Sequence, residues 1–285
     1  MKIPRYWACR TIEVTLPNGR QRPLTCWEWS ERDVAEAGAR ADARIAAMAQ
    51  RLRGGQPLQR YGYSDRPLRE EILETIKTRS GGEAAVITRN QYGARVLNAS
   101  GALFIDIDLD ETQPESGGLA GALGRLFGAK PVDPIAAQLE RLSAWAQRNP
   151  FLGLRVYRTA GGLRAVIPNE VFDPQRADAL DILQTLSNDP LYIRLCQAQG
   201  CFRARLTPKP WRCAMPNPPA RFPWPDSAGE SRYRAWERRY EHAAAGYRVC
   251  RPVAHYGPRD VHPDLVEVLA YHDRFTLAAT ERPLA

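Results

Sequence analysis

The string Phe104-Ile105-Asp106-Ile107-Asp108-Leu109 constrains this chain more than any other feature of it. In an extended strand, side chains at i and i+2 share a face and stand roughly 6.6 Å apart. Ile105, Ile107 and Leu109 then enter a core, and Asp106 and Asp108 stand side by side on the opposite face. Two like charges on one face of so apolar a strand are unfavourable unless a cation neutralises them, and magnesium or manganese held by oxygen ligands is the usual solution. Two such ions, on the order of 3.5–4 Å apart, activate an attacking oxygen and steady a leaving phosphate. The apolar inner face predicts a central strand; the alternative is an edge strand whose acids are merely solvated. Asp110 and Glu111 extend the acid run and widen the choice of ligands.

The flanking pattern predicts an α+β chain with a mixed or antiparallel sheet core flanked by helices. Residues 11–16 and 24–29 alternate on either side of Asn18-Gly19 and read as a hairpin. Ser30, with Asp33 three residues on, caps a helix whose stripe of Val34, Ala37, Ala41, Ile45, Met48 and Leu52 stops at Gly54-Gly55. Asp65 and Pro67 predict a second helix to about residue 77, and strands follow at 84–89, 94–98 and 102–109. Residues 111–128, with five glycines, read as a loop or weak helix, and 134–148 as a helix. A hairpin at 153–158 and 163–167 turns on Gly161-Gly162; a helix at 174–186 and a short strand at 202–206 come next. Seven prolines between 208 and 225 predict irregular chain, before helices at 231–245 and 263–275. The chain divides into an N-terminal segment, 1–80, a core, 81–212, and a basic, Pro-rich and helical segment, 213–285.

At 285 residues the chain can bury a sizeable core without disulfide staples. A mean hydropathy of −0.45 excludes a polytopic membrane protein, and the first ten residues hold no apolar leader, so a cytoplasmic protein with no membrane partner is expected. The formal net charge is +8, and residues 194–251 alone carry twelve basic and four acidic side chains, which is the whole excess. Phe202, Trp211, Phe222, Trp224, Tyr233, Trp236 and Tyr240 interleave with them, a composition suited to phosphate contacts and base stacking. The alternative is a solvated Arg-rich helix at 231–241 whose rings pack inward. Of six cysteines, Cys196, Cys201 and Cys213 form a C-x4-C-x11-C cluster that would hold zinc only with a fourth ligand, Cys250, His242 or His255; buried thiols are the alternative. All four histidines lie in the last 44 residues, which disfavours a Ser/His/Asp or Cys/His unit on the central scaffold unless the terminal helices reach back.

Two further strings bear on function. In Tyr157-Arg158-Thr159-Ala160-Gly161-Gly162-Leu163-Arg164, a small-residue turn lets backbone approach a phosphate, with Arg164 emerging just beyond it. In Phe202-Arg203-Ala204-Arg205-Leu206-Thr207-Pro208-Lys209, Arg203 and Arg205 share a strand face and Lys209 reaches past a Pro-fixed turn, as a triphosphate or nucleic-acid backbone requires. An ordinary hairpin and a charged edge strand are the alternatives.

The order of these strings over residues 84–212 resembles the catalytic core of the archaeo-eukaryotic primase superfamily, the primase-polymerases. The resemblance implies that Asp106, Asp108 and a third acid, Asp189, are catalytic and bind magnesium or manganese. It also implies that Thr159, Gly161, Gly162, Arg164, Arg203, Arg205 and Lys209 bind the incoming nucleotide. It departs from the family in placing Arg164 where a His is usual, and in lacking a Gly in 204–207. An Arg holds phosphate as well as a His but does not titrate. The implied activity is a metal-dependent nucleotidyltransferase acting on nucleoside triphosphates and a DNA or RNA strand. A nuclease or phosphohydrolase on the same acids and a non-catalytic nucleic-acid-binding protein are its rivals.

Overall fold

In a computed structural model, residues 1–58, 66–78, 81–109, 133–187 and 189–285 are described. The expected loop at 111–128 lies outside them, as do Asp65, Asp110, Glu111 and Asn188. The architecture is α+β, with antiparallel sheets flanked by helices.

The N-terminal hairpin pairs β1 (Tyr6–Thr15) with β2 (Gln21–Ser30), and α1 (Val34–Arg53) covers one of its faces. Val14, Leu24 and Cys26 meet Ala37, Ala41, Ile45 and Leu52 there, the stripe read from the sequence. Asp33, not Ser30, caps α1, accepting from Glu36 N at 2.7 Å. Ser30 stands outside the helix and accepts from Arg32 N at 2.9 Å.

The helix expected up to residue 77 is instead β3 (Glu71–Lys77), antiparallel to β4 (Glu83–Arg89). Pro67 marks no helix start. Glu70 just beyond it is drawn into a buried ion pair, and the half-buried Ile72 and Ile76 then lie along the partner strand. The first four-stranded sheet runs β3-β4-β5-β9, with β5 at Arg95–Ala99 and β9 at Phe202–Arg205. A second runs β10-β7-β8-β6, with β6 at Phe104–Asp108, β7 at Leu154–Thr159, β8 at Gly162–Val166 and β10 at Cys250–Tyr256. Helices α2 (Pro134–Arg148), α3 (Ala177–Leu186), α4 (Pro190–Gln199) and α6 (Val266–Phe275) contribute to the main core. The segment after residue 212 thus supplies both β10 and α6 to it. Helix α5 (Ser227–Ala244) has its own cluster, in which Tyr233, Trp236 and Tyr240 are buried.

The strand expected to be central, β6, ends its sheet. It is nonetheless enclosed, because its outer edge faces β9 and is capped by side chains. The Tyr192 hydroxyl donates to Phe104 O at 2.7 Å and accepts from Arg203 N at 3.3 Å. Ser187 Oγ donates to Asp106 O at 2.6 Å, and Arg164 Nη1 donates to Arg205 O at 2.9 Å. The two sheets therefore meet at a seam of β6 and β9, joined through side chains. On the other edge of β6 the β7–β8 turn comes so close that a Cβ on Gly162 would lie 2.0 Å from Ile107 O.

Tyr192→Phe is expected to leave the buried Arg203 N–H and Phe104 carbonyl poorly satisfied and to lower unfolding stability by about 1–3 kcal/mol. Gly162→Ala is expected to destabilise at least as much through backbone collision. Urea unfolding of both variants checks these losses.

Candidate functional site

The seam underlies a cavity of about 380 Å³ whose lining includes Asp106, Arg164, Tyr192, Arg203 and Arg205. Strand register explains why they converge. Asp106 lies opposite Arg164, which lies opposite Tyr157; Asp108 lies opposite Gly162, which lies opposite Thr159. Arg164 Nε stands 3.9 Å from Asp106 Oδ1. Asp108 has a pKa raised by partial burial and then by the negative charges of Asp106 and Asp189, against the pull of Lys209 and Arg205. The three predicted carboxylates are thus within electrostatic reach of one another. Asp189 also caps α4, its Oδ1 accepting from Leu191 N at 2.8 Å and Tyr192 N at 3.0 Å, which leaves Oδ2 for other use.

The predicted basic residues divide sharply by partner. Arg203 is consumed by protein: Nη2 donates to Glu70 at 2.8 Å and 3.1 Å, and Nη1 to Asn98 Oδ1 and Gln199 Oε1 at 2.7 Å each. Burial works against its charge, yet Glu70 holds its pKa above the ordinary value. Arg205, two residues on, has no such acid, and its enclosed Nε lacks a hydrogen-bond partner among the described residues. Burial, reinforced by Arg164 and opposed by Asp106, pushes its pKa down to about 10. Lys209 is lowered by burial and by Arg205 and Arg212, while Asp108 and Asp106 hold it up. Its Nζ lies 5.4 Å over the half-exposed Trp211, whose ring meets Tyr92 edge-on at 5.3 Å.

The Gly161–Gly162 turn serves first to fit the backbone. Gly162 packs against β6, Gly161 O accepts from Leu109 N at 2.9 Å, and Thr159 is buried. A Cβ on Gly161 would lie 3.1 Å from Arg212 Nη2, so Arg212 reaches over the turn. Arg212 was not singled out from its position beyond Lys209, although Pro210 fixes the turn that returns it.

Histidine enters the site from an unexpected direction. His272 on α6 is fully buried, and its Nε2 lies 3.3 Å from Arg164 Nη1 while Nδ1 lies 2.9 Å from Asp273 Oδ1. The guanidinium can only donate, so Nε2 accepts and Nδ1–H donates to Asp273. Tyr157 OH donates to the same Asp273 oxygen at 2.7 Å, and Arg155 faces the other at 3.4 Å. The two protons of Arg164 Nη1 are therefore directed to His272 and the Arg205 carbonyl, and Nε and Nη2 remain for the Asp106 side. The terminal helix does reach back, but its histidine orients an arginine.

The oxygen-only donor set of Asp106, Asp108 and Asp189 suits a hard divalent cation such as magnesium or manganese. Among the described residues, no group of three or more His, Cys, Asp or Glu side chains is placed to hold a metal ion. The carboxylates are thus near one another without being closed around a centre, and Cys196, Cys201 and Cys213 are not gathered as a zinc site. Cys196 lies in the main core with its pKa pushed up to about 12 by burial, and Cys201 is likewise raised to about 11. Cys213 belongs to the α5 cluster. His255, a proposed fourth ligand, has Nε2 at 2.8 Å from Pro258 O. The aromatics of α5 are core, as the inward-packing alternative expects, but Arg234 on it pairs with Glu71 and Glu237 where that alternative expects a solvated arginine.

Fold and site together define an α+β protein with Asp106 set in an arginine-lined cleft, while Asp108 and Asp189 lie outside that lining. Compared with known proteins, the chain matches no family model, no curated protein and no solved structure. Among the described residues no helix is long and apolar enough to cross a membrane.

Burial lowers the pKa of His272, with Arg164 adding to the effect and Asp273 opposing it. Its folded-state pKa lies below the unfolded value, so the unfolded chain takes up the proton first. Stability is then full above about pH 6.5 and falls as pH drops through that value toward the folded pKa. His272→Gln should show a smaller loss between pH 7 and pH 5, measured by thermal unfolding; an identical loss in both proteins would contradict the assignment.

Proposed function

We propose that the cleft binds a divalent metal with a nucleoside triphosphate, and that the chain is a metal-dependent nucleotidyltransferase of primase-polymerase type. The observation that carries this reading is the opposed charge at the seam, acids on β6 against an arginine on β9. Asp106 and Asp108 crowd each other on β6, and Arg205 on β9 is partly buried, its Nε enclosed without a hydrogen-bond partner among the described residues. Crowded carboxylates favour a cation, and enclosed arginines favour phosphate oxygens. A metal-bound triphosphate answers both at once.

Asp106 and Asp108, with Asp189 Oδ2 completing the set, are the residues that would hold the ion. When bound, it supplies Lewis-acid charge at the attacking hydroxyl and the leaving pyrophosphate. Arg205, Lys209 and Arg212 bind the phosphates. Arg164 presents Nε and Nη2 beside Asp106, in an orientation fixed by His272 and the Arg205 carbonyl, and so helps to hold the reacting groups in line. Arg203 acts at one remove: bound to Glu70, it fixes β9 and hence Arg205. A guanidinium has only donors and no lone pair to accept a proton, so proton removal from the hydroxyl falls to solvent or to a carboxylate.

Incorporation of labelled nucleotide onto a primed DNA or RNA template, with magnesium or manganese, tests the proposal. Asp106→Asn should reduce incorporation by at least about 10²-fold, the scale of losing a preorganised charge at a reacting centre. Arg205→Gln should raise KM for the nucleotide. Strand shortening without extension would favour the hydrolytic rival, and binding with neither product would favour the non-catalytic one.

A further inference from the structure

The β1–β2 hairpin gives one face to α1, and beside it lies a second cavity, of about 340 Å³, that Trp7 and Trp27 of the other face line together with Arg44 of α1, Arg66 and Arg69. Trp7 lies opposite Trp29 with ring centroids 5.9 Å apart, and Trp27 follows two residues before Trp29 on the same face. A guanidinium stands over each ring of β2: Arg66 lies 4.8 Å from the centre of Trp29, and Arg69 lies 5.1 Å from that of Trp27. None of the three tryptophans is buried, and Arg69 is exposed. Arg66, Pro67 and Arg69 line this cavity and the Asp106 cleft alike, so the two adjoin across one segment of chain.

The two arginines have different commitments. Arg66 donates to Trp27 O at 2.8 Å and to Glu28 at 2.5 Å, which fixes it as part of the platform. Arg69 has no carboxylate partner among the described residues. Partial desolvation lowers its pKa, and Arg221 and Arg66 lower it further, while Cys9 opposes them. The loop that carries both is anchored one residue later, where Glu70 takes two bonds from Arg203 and one from Thr88 Oγ1 at 2.5 Å. In the adjoining Asp106 cleft Arg221, Phe222 and Tyr92 repeat the mixture of cation and ring.

We infer that the Trp7, Trp27 and Trp29 face of the hairpin, with Arg66 and Arg69, is a track for single-stranded nucleic acid that leads into the Asp106 cleft. Rings accept bases of any sequence by stacking, and the unpaired guanidinium takes the backbone phosphate. Partly exposed tryptophans with a guanidinium over each ring of β2 offer planar surfaces to unpaired bases, which the stacked bases of a duplex cannot reach. The track deepens the nucleotidyltransferase reading by assigning where the strand lies, but it needs neither metal nor turnover.

The test is fluorescence anisotropy of a labelled single strand, DNA and RNA in separate arms, of about 15 nucleotides, within the usual span of such sites. It is run in EDTA without nucleotide, on the full chain. Arg69→Gln and Trp27→Leu should each weaken binding about tenfold, as loss of one stacking or phosphate contact does. Arg69→Gln should also reduce the slope of log affinity against log salt by about 0.7. The Asp106→Asn/Asp108→Asn double variant should bind at least as tightly as wild type, since two negative charges leave the path of the strand, and a blunt duplex should bind more weakly than the single strand. Arg69 is exposed, so its variant remains decisive if Trp27→Leu fails to fold. Unchanged binding in Arg69→Gln, no binding by wild type, equal binding of duplex, or displacement by polyglutamate as readily as by oligonucleotide would overturn the track. Metal-triphosphate binding would stand in that case, and strand binding in EDTA would stand if the metal site failed.

Discussion

Everything at the candidate site depends on how β6 and β9 are held together without a ladder of backbone hydrogen bonds between them. The Tyr192 hydroxyl joins Phe104 O to Arg203 N, and Arg164 reaches from β8 to the Arg205 carbonyl. A continuous ladder would bring the strands to roughly 4.8 Å and close the seam. Bridging by side chains instead leaves a cleft between Asp106 on one sheet and Arg205 on the other. The enclosure of β6 and the opening above it therefore have the same origin.

Within that cleft, the charges differ in how far the protein satisfies them. Arg203 and Glu70 form a buried pair whose remaining valences go to Thr88, Asn98 and Gln199. Such a network is strong only when complete, and this one fixes both β9 and the loop bearing Arg66 and Arg69. Arg205 Nε is enclosed without a hydrogen-bond partner among the described residues, and the Asp108 pKa is raised by burial and by its acidic neighbours. Folding alone would not favour either arrangement. An enclosed guanidinium next to a completed network is what a preorganised anion site requires.

The sequence carried the local part of this. Alternation in Phe104-Ile105-Asp106-Ile107-Asp108 placed the two acids on one face, and the Gly-Gly turn placed Arg164 on the strand that proves to adjoin them. It did not reveal that β6 ends its sheet, because a strand covered by side chains reads the same as one covered by a neighbour. It did not separate Arg203 from Arg205, since Glu70 lies over a hundred positions away and becomes a partner only through the fold. The strand β3 was read as a helix because Pro67 can start either element. Strand β10 was missed because Pro252 interrupts it, at the bulge and sheet edge where a strand tolerates proline. Helix α4 was missed although Asp189-Pro190 is a cap followed by a first-turn proline, because Asp189 was weighed only as a metal ligand.

The central claim is that opposed charge at the β6–β9 seam is a metal-nucleotide site. Calorimetric titration of manganese, a nucleoside triphosphate and the two together into wild type and into Asp106→Ala/Asp108→Ala tests it most directly. The account predicts triphosphate binding that requires the metal in wild type and is lost in the double variant. Absence of binding in both proteins, or equal binding in both, would contradict it.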